Sequence, residues 1–157
     1  MRILAVDPGS KNIGIALSDP TGTIANPLGV VKHTSREADA SAIAGLAAEH
    51  GAGRIVVGQA LDENGEPTFE GRRAARLAAA IRLKSLISVE LWDESFSTFD
   101  ARAAREALGV PQRKRRGHLD ELAAAIILQP YLDAHAKAPG EEGPLKEDGS
   151  SPPQASP

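Results

Sequence analysis

The run Ile55-Val56-Val57-Gly58 is the feature that most constrains the fold, because it is fully apolar and too short to form a helix. A strand without alternating polar residues is typical of a sheet that helices cover on both faces. Segments 35–50 and 68–85, on either side of the run, carry apolar residues at helical spacing. The sequence therefore predicts an α/β fold built around a parallel strand.

Strand patterns also fill the first part of the chain. Residues 2–6 and 13–18 are predicted as strands joined by a turn at 7–10. Residues 27–32 are predicted as a third, antiparallel strand that follows a turn at 19–22. The three strands form a meander at one side of the sheet.

The second half of the chain alternates strands and helices. Residues 89–92 are predicted as the fifth strand, and helices follow at 97–108 and 119–136 with a basic loop at 109–117 between them. Pro130 lies in the last helix and should kink or shorten it. We predict a five-stranded mixed sheet, with three antiparallel meander strands, two parallel strands and helices on both faces.

The composition fits one globular domain. The chain has 157 residues, of which 41% are hydrophobic, so it can build one core. It contains no cysteine, which excludes disulfides, thiolate metal sites and cysteine nucleophiles and fits a reducing cytosol. No apolar run approaches the roughly 18 residues of a membrane span, and the residues before Asp7 hold no apolar stretch long enough for a signal peptide. We expect a cytoplasmic protein with no membrane partner.

The net charge of −3 hides an uneven distribution. We expect residues 1–138 to form the domain and the acidic, Pro/Ser-rich residues 139–157 to form a disordered tail. Residues 72–116 hold eleven Lys or Arg against five Asp or Glu. Such a basic zone suits a polyanion such as nucleic acid. Solvated helix faces give the same pattern, and charge alone favours them.

Four acids stand where α/β proteins build sites. Asp7 ends the first strand, and Asp93 and Glu94 end the fifth. Asp120 opens the last predicted helix, where an acid also interacts favourably with the helix dipole. The other acids have structural alternatives too, as a turn residue or as helix caps. Because successive strand residues point to opposite faces, only one of Asp93 and Glu94 can join Asp7.

Acids that converge in this way would bind a hard divalent cation. Mg²⁺ takes oxygen ligands, commonly a few carboxylates together with substrate phosphate and water. Two such ions about 4 Å apart can activate water and stabilise the leaving oxygen of a phosphodiester. Lys11, which lies close to Asp7, can contact a phosphate there. The pattern therefore indicates a metal-dependent nuclease.

Four segments carry a resemblance to known proteins: AVDPGSKNIGIALSD at 5–19, IVVGQALDENGEP at 55–67, LWDESFST at 91–98 and LDELAAAIILQPYLD at 119–133. In this order and spacing they resemble the YqgF/RuvX family, the pre-16S ribosomal RNA nucleases, also described as Holliday junction resolvases. The resemblance covers residues 1 to about 135 and implies an RNase H-like fold. It also implies that Asp7, Glu94 and Asp120 are the catalytic, metal-binding acids, with Mg²⁺ or Mn²⁺ as the cofactor.

The chain departs from the family pattern in two places. The family usually has Asp-Glu-Arg where this chain has Asp93-Glu94-Ser95, and Gly-Leu-Pro where it has Gly58-Gln59-Ala60. Without the arginine, one cation near the expected scissile phosphate is lost. The remaining candidates for substrate binding are all basic: Lys11, Arg72, Arg73, Arg113, Lys114, Arg115 and Arg116.

The sequence leaves four functions open. The leading one is a nuclease that processes the 5′ end of pre-16S rRNA. The second applies the same chemistry to four-way DNA junctions, which needs two symmetric cuts and usually a homodimer; the sequence leaves monomer or homodimer undecided. The third is a nucleic-acid-binding module without catalysis, against which the retained acids argue. The fourth is an ATP-binding domain, because the Asp-x-Gly hairpin at 7–9 resembles the phosphate-binding hairpin of sugar kinases and actin-like ATPases, which need two such domains.

Overall fold

The computed structural model describes the backbone of residues 1–94 and 112–136, and the side chains of residues 1–94 and 122–136. The predicted helix at 97–108, Ser95 and the predicted tail at 139–157 lie outside these residues. Within the described ranges the elements follow the chain in this order: β1 Arg2–Asp7, β2 Asn12–Ser18, β3 Ala25–Lys32, α1 Arg36–Glu49, β4 Ala52–Gln59, α2 Phe69–Lys84, β5 Ser88–Asp93 and α3 Gln112–Ala134.

The sheet has five strands in the order β3-β2-β1-β4-β5. β1 pairs antiparallel with β2, which pairs antiparallel with β3. β4 lies parallel to both β1 and β5. The prediction of a mixed sheet with a three-stranded meander is therefore confirmed.

Helices cover both faces of the sheet. Leu4, Val6 and Val57 belong to the cluster that packs against α1 and α2, whereas Ala5 and Val56 belong to the cluster that packs against α3. These neighbours alternate because successive strand residues point to opposite faces. The central strands β1 and β4 are buried on both sides, as the apolar run in β4 predicted.

The ends of α1 and α2 are fixed by local hydrogen bonds. The Ser35 hydroxyl accepts a hydrogen bond from the amide of Ala38, and the Thr68 hydroxyl accepts one from the amide of Gly71. Such caps satisfy amides that have no partner inside the helix. Thr68 also holds α2 to the end of β4, since its amide and its hydroxyl both donate to the carbonyl of Ala60.

The last helix differs from the prediction at its start. α3 begins at Gln112, so the predicted loop at 109–117 is wrong for residues 112–117, and Asp120 does not open the helix. The segment is rich in Gln, Lys and Arg, which have high helix propensity, and one internal glycine costs only about 1 kcal/mol. The helix continues past Pro130 to Ala134. None of the helices in the described ranges is long and apolar enough to span a bilayer.

A buried polar network fastens α3 to the sheet. The Tyr131 side chain is fully buried, accepts a hydrogen bond from Arg54 at 2.7 Å and donates one to Glu90 at 2.8 Å. Burial raises the pKa of its phenol, so the hydroxyl stays protonated and can donate. Its ring also meets Trp92 edge-on, with centroids 5.1 Å apart.

Replacing Tyr131 by Phe should destabilise the domain by about 1–3 kcal/mol, because Arg54 and Glu90 each lose a short hydrogen bond at a partly buried position. The ring and its packing are retained, so the change isolates the hydroxyl. The midpoint of urea unfolding gives the measurement. A Glu90→Gln control keeps an acceptor for the hydroxyl and should lose less. An unchanged midpoint in the Phe variant would show that water replaces both bonds without loss.

Candidate metal and nucleic-acid site

The carboxyl ends of three neighbouring strands meet at one edge of the sheet. β1 ends at Asp7, β4 at Gln59 and β5 at Asp93. These strands are parallel, so their carboxyl ends lie at the same edge. Glu94 is the residue directly after β5, and its amide donates a hydrogen bond to the carbonyl of Gln59 at 3.0 Å. Two of the predicted site acids, Asp7 and Glu94, therefore lie at the same edge of the sheet. They are at the ends of β1 and β5, and β4 lies between these strands.

Strand alternation gives the face on which each acid lies. In β1, Ile3 and Ala5 pack toward α3, so Asp7 continues that face. In β5, Val89 and Leu91 pack toward α1 and α2, so Asp93 follows them to that opposite face. Glu94 comes next and returns to the α3 side, with Asp7. The geometry thus favours Glu94 over Asp93, a choice that the residues alone left open.

The glycine between the two acids makes room for the Glu94 carboxylate. A Cβ atom on Gly58 would lie 3.2 Å from Glu94 Oε1 and 2.9 Å from Ile127 Cδ1 on α3. The carboxylate therefore lies over β4 rather than beside β5. Adjacent strands are about 4.8 Å apart, so the carboxylate covers much of the distance to β1. Gly58 supplies the space in which Glu94 approaches Asp7 on the α3 face.

The surroundings of Glu94 oppose its negative charge. Burial raises the pKa of this carboxyl, and the charges of Asp93 and Glu70 raise it further. A divalent cation beside the carboxylate would counter all three effects. The described residues therefore fit a bound cation, because two acids, both oxygen donors, lie on one face of the sheet and burial disfavours the charged form of Glu94.

The third predicted acid belongs to α3. Asp120 is the ninth residue of this helix, so the stabilising role of an acid in a first turn does not apply to it. It precedes Ala124 by four residues and Ile127 by seven, and both of those are buried against the sheet. The side chain of Asp120 lies outside the described residues. Among the side chains that the structure does describe, no group of three His, Cys, Asp or Glu could hold a metal ion.

The predicted basic residues fall into three places. Lys11 is exposed on the turn between β1 and β2. On α2, Arg72 is exposed and donates to the carbonyl of Pro67 at 3.2 Å, whereas Arg73 is half-buried and lines a cavity. The backbone of the cluster 113–116 lies in the first turns of α3 and not in a loop; its side chains are outside the described residues.

That cavity has a volume of about 250 Å³, and the sequence did not predict it. It lies beside the β1–β2 turn and is lined by Pro8, Gly9, Ile13, His33, Ser35, Arg36, Asp39, Arg73 and Leu77. Asp39 is only 3% exposed although it lies among the apolar residues of α1. Asp39 is the one signal in the sequence that could have pointed to this cavity. A charged residue among the buried apolar positions of a helix needs a polar partner nearby.

Comparison with known proteins places the chain in a family. The family model described as "RuvX: Holliday junction resolvase" matches residues 1–134. A protein from Desulforamulus reducens named "Putative pre-16S rRNA nuclease" is 36% identical over 87% of this chain and 100% of its own length. One from Anaeromyxobacter sp. with the same name is 41% identical over 85% of this chain and 97% of its own length.

Solved structures share the fold at low identity. RuvC of T. thermophilus in complex with a Holliday junction substrate has a TM-score of 0.53 and 18% identity, covering 85% of this chain and 94% of that one. The Fowlpox virus resolvase in complex with Holliday junction DNA has a TM-score of 0.53 and 15% identity, covering 87% and 100%. These likenesses confirm the predicted RNase H-like fold. With the family match over residues 1–134, they show that this chain belongs to the YqgF/RuvX family.

Proposed function

We propose that this chain is a divalent-metal-dependent nuclease that hydrolyses phosphodiester bonds at the 5′ end of pre-16S rRNA. The observation that carries the proposal is the placement of Asp7 and Glu94 on one face of the sheet, at the ends of β1 and β5, with Gly58 opening the space between them. The names of relatives that are 36–41% identical support the choice of substrate.

Asp7, Glu94 and Asp120 would hold Mg²⁺ or Mn²⁺. When bound, the ions supply an activated water and stabilise the oxygen that leaves the cleaved phosphodiester. The chain contributes the position of the acids: β1 and β5 belong to one sheet with helices on both faces, and the amide of Glu94 is hydrogen-bonded to the end of β4. Acids held on rigid elements keep the geometry that such chemistry requires. Asp120 would complete the set from α3.

Basic residues around this edge would bind the nucleic-acid backbone. Lys11 lies on the β1–β2 turn, and Arg72 and Arg73 lie at the start of α2. The cluster 113–116 on α3 would add to them. Contacts with phosphates position a strand and provide affinity without reading its sequence. These groups would take over the role of the family's arginine, which is Ser95 in this chain. We place the nuclease in residues 1–138 and its activity in the cytoplasm.

The test is to incubate the protein with pre-16S rRNA, single-stranded DNA and a four-way DNA junction, each with Mg²⁺, with Mn²⁺ or with EDTA, and to map the products. We expect cuts in the rRNA precursor near the 5′ end of 16S rRNA, in the presence of metal only. An Asp7→Asn variant serves as the blank, because it removes one proposed ligand while retaining the size of the side chain. Equal cleavage by this variant, or cleavage that persists in EDTA, would refute the proposal.

Junction resolution is the second candidate, favoured by the description of the family that matches residues 1–134. The chemistry would be the same, but two active sites would have to act on symmetric positions, which usually requires a C₂ dimer. The junction arm of the experiment, run beside a mass measurement in solution, separates the two candidates. Paired symmetric cuts by a dimer would favour the junction, whereas a strictly monomeric protein that cuts only RNA would exclude it.

A further inference from the structure

The cavity beside the β1–β2 turn has a cationic wall. Arg36, at the start of α1, and Arg73, on α2, both line it, above a floor that includes the buried Ile13 and Leu77. Its volume of about 250 Å³ exceeds the roughly 30 Å³ that one water molecule occupies in the liquid. The cavity is therefore large enough to admit a tetrahedral oxyanion together with water.

The two arginines differ from most others in the described part of the chain, because their donors have no acceptor among the described residues. Four other arginines donate to protein oxygen atoms: Arg2, Arg54, Arg72 and Arg82. Within residues 1–94 and 122–136, Arg36 and Arg73 have no hydrogen bond or ion pair. The guanidinium group carries five donors in a fork that matches phosphate oxygens. These donors remain available to an anion in the cavity.

A buried acid fixes another part of the wall. The Asp39 carboxylate accepts a hydrogen bond from His33 Nδ1 at 2.5 Å and one from the Thr34 amide at 3.1 Å. Both of its oxygen atoms are thus engaged by groups other than the arginines. The backbone amide of His33 donates to the carbonyl of Lys11 at 2.9 Å, which ties this wall to the β1–β2 turn. Asp39 is a positioning residue that holds the His33 ring in place.

The cavity lies beside the acids, but on the other face of the sheet. Pro8 and Gly9 line it and directly follow Asp7, so the Cα atom of Gly9 is at most about 7 Å from that of Asp7. Asp7 lies on the α3 side, whereas α1 and α2 form the cavity. A strand bound at both places would cross the carboxyl edge of the sheet over the β1–β2 turn.

We propose that this cavity binds an internal phosphate of the nucleic-acid strand, close along the strand to the phosphodiester that is cleaved, through the guanidinium groups of Arg36 and Arg73. The proposal rests on the proposed function for the identity of the strand. It assigns Arg36 to substrate binding and gives Arg73 a defined ligand, while Asp39 positions His33 in the wall of the cavity. It also gives the path of the strand, which runs from the acids toward the start of α1.

The first test measures RNA binding in EDTA, where no metal-dependent cleavage occurs. Arg36→Gln and Arg73→Gln should each weaken binding on the order of tenfold, since each removes a charge-assisted contact. Each should also lower the slope of log affinity against log salt by about one. Arg76→Gln is the matched control: Arg76 is exposed on α2, has no hydrogen bond or ion pair within the described residues and does not line the cavity.

Two further probes identify the ligand. RNAs with a 5′-phosphate and with a 5′-hydroxyl should bind equally if the phosphate is internal. Inorganic phosphate, titrated into the metal-free protein, should shift the ring resonances of His33 in NMR spectra, and a His33→Gln variant assigns them among the four histidines. Three results would each overturn the proposal. The first is equal RNA affinity of all three arginine variants, and the second is tighter binding of the 5′-phosphorylated RNA than of the 5′-hydroxyl RNA. The third is a His33 resonance that does not shift when phosphate is added. None of these readouts needs cleavage, so failure of the proposed nuclease activity would be seen separately.

Discussion

Replacing Glu94 by Gln should reduce metal-dependent cleavage on the order of 10³-fold, while replacing its neighbour Asp93 by Asn should leave most of the activity. Mutation of a residue that only hydrogen-bonds to a metal ligand typically lowers metal affinity or activity roughly 10–100-fold, so loss of a ligand itself should lower activity further. Glu94 lies on the face of Asp7, with its carboxylate over Gly58, whereas Asp93 follows Val89 and Leu91 to the opposite face. The initial rate of cleavage at saturating Mg²⁺ gives the measurement.

This pair of variants is a matched comparison, because both changes remove one negative charge from adjacent residues. Loss of Asp93 also removes a charge that raises the pKa of Glu94, so the Asp93→Asn protein should need no more metal than the wild type. A titration with Mg²⁺ checks this point. If Asp93→Asn were the inactive variant and Glu94→Gln the active one, the assignment by strand alternation would be wrong.

Local patterns were sufficient to predict most of the fold. The helical spacing of apolar residues in segments 35–50 and 68–85 predicted α1 and α2, because this signal lies within one segment. In the structure Ser35 and Thr68 cap these helices through amides three residues away. The apolar run in β4 predicted a strand buried on both faces for a similar reason, since burial on two sides leaves no polar position. Both signals are readable without knowledge of the partners.

Features that depend on distant partners were not predictable in this way. Strand pairing sets the face of Glu94, and a single sequence gives alternation but not the position of a neighbouring strand. The early start of α3 was hidden by a basic segment that reads equally well as a loop or as a helix. The cavity was not predicted because the β1–β2 turn, β2, α1 and α2 all line it, and their residues are separated in the sequence. Asp120 stays a prediction, as its side chain is not among those described.

The glycine at position 58 offers a test of how closely the two acids must approach. Gly58→Ala should lower cleavage by roughly ten- to a hundredfold, although position 58 bears no chemical group. The new Cβ atom would lie 3.2 Å from Glu94 Oε1, so the carboxylate would have to shift by a few tenths of an ångström. It would also lie 2.9 Å from Ile127 Cδ1, the end of a flexible side chain that can move. We therefore expect the loss of activity to exceed the loss of stability, which should stay near 1–3 kcal/mol.

Gly29→Ala provides the control, because it also adds a methyl group to a strand of the sheet but meets no atom within 4 Å. Its cleavage rate and its urea midpoint should match those of the wild type. In Gly58→Ala, the Mg²⁺ concentration that gives half-maximal activity should rise along with the fall in rate, since the displaced carboxylate is a proposed ligand. Full activity in Gly58→Ala would mean that the Glu94 carboxylate does not need the space above β4, and that the proposed position of this carboxylate relative to Asp7 is wrong.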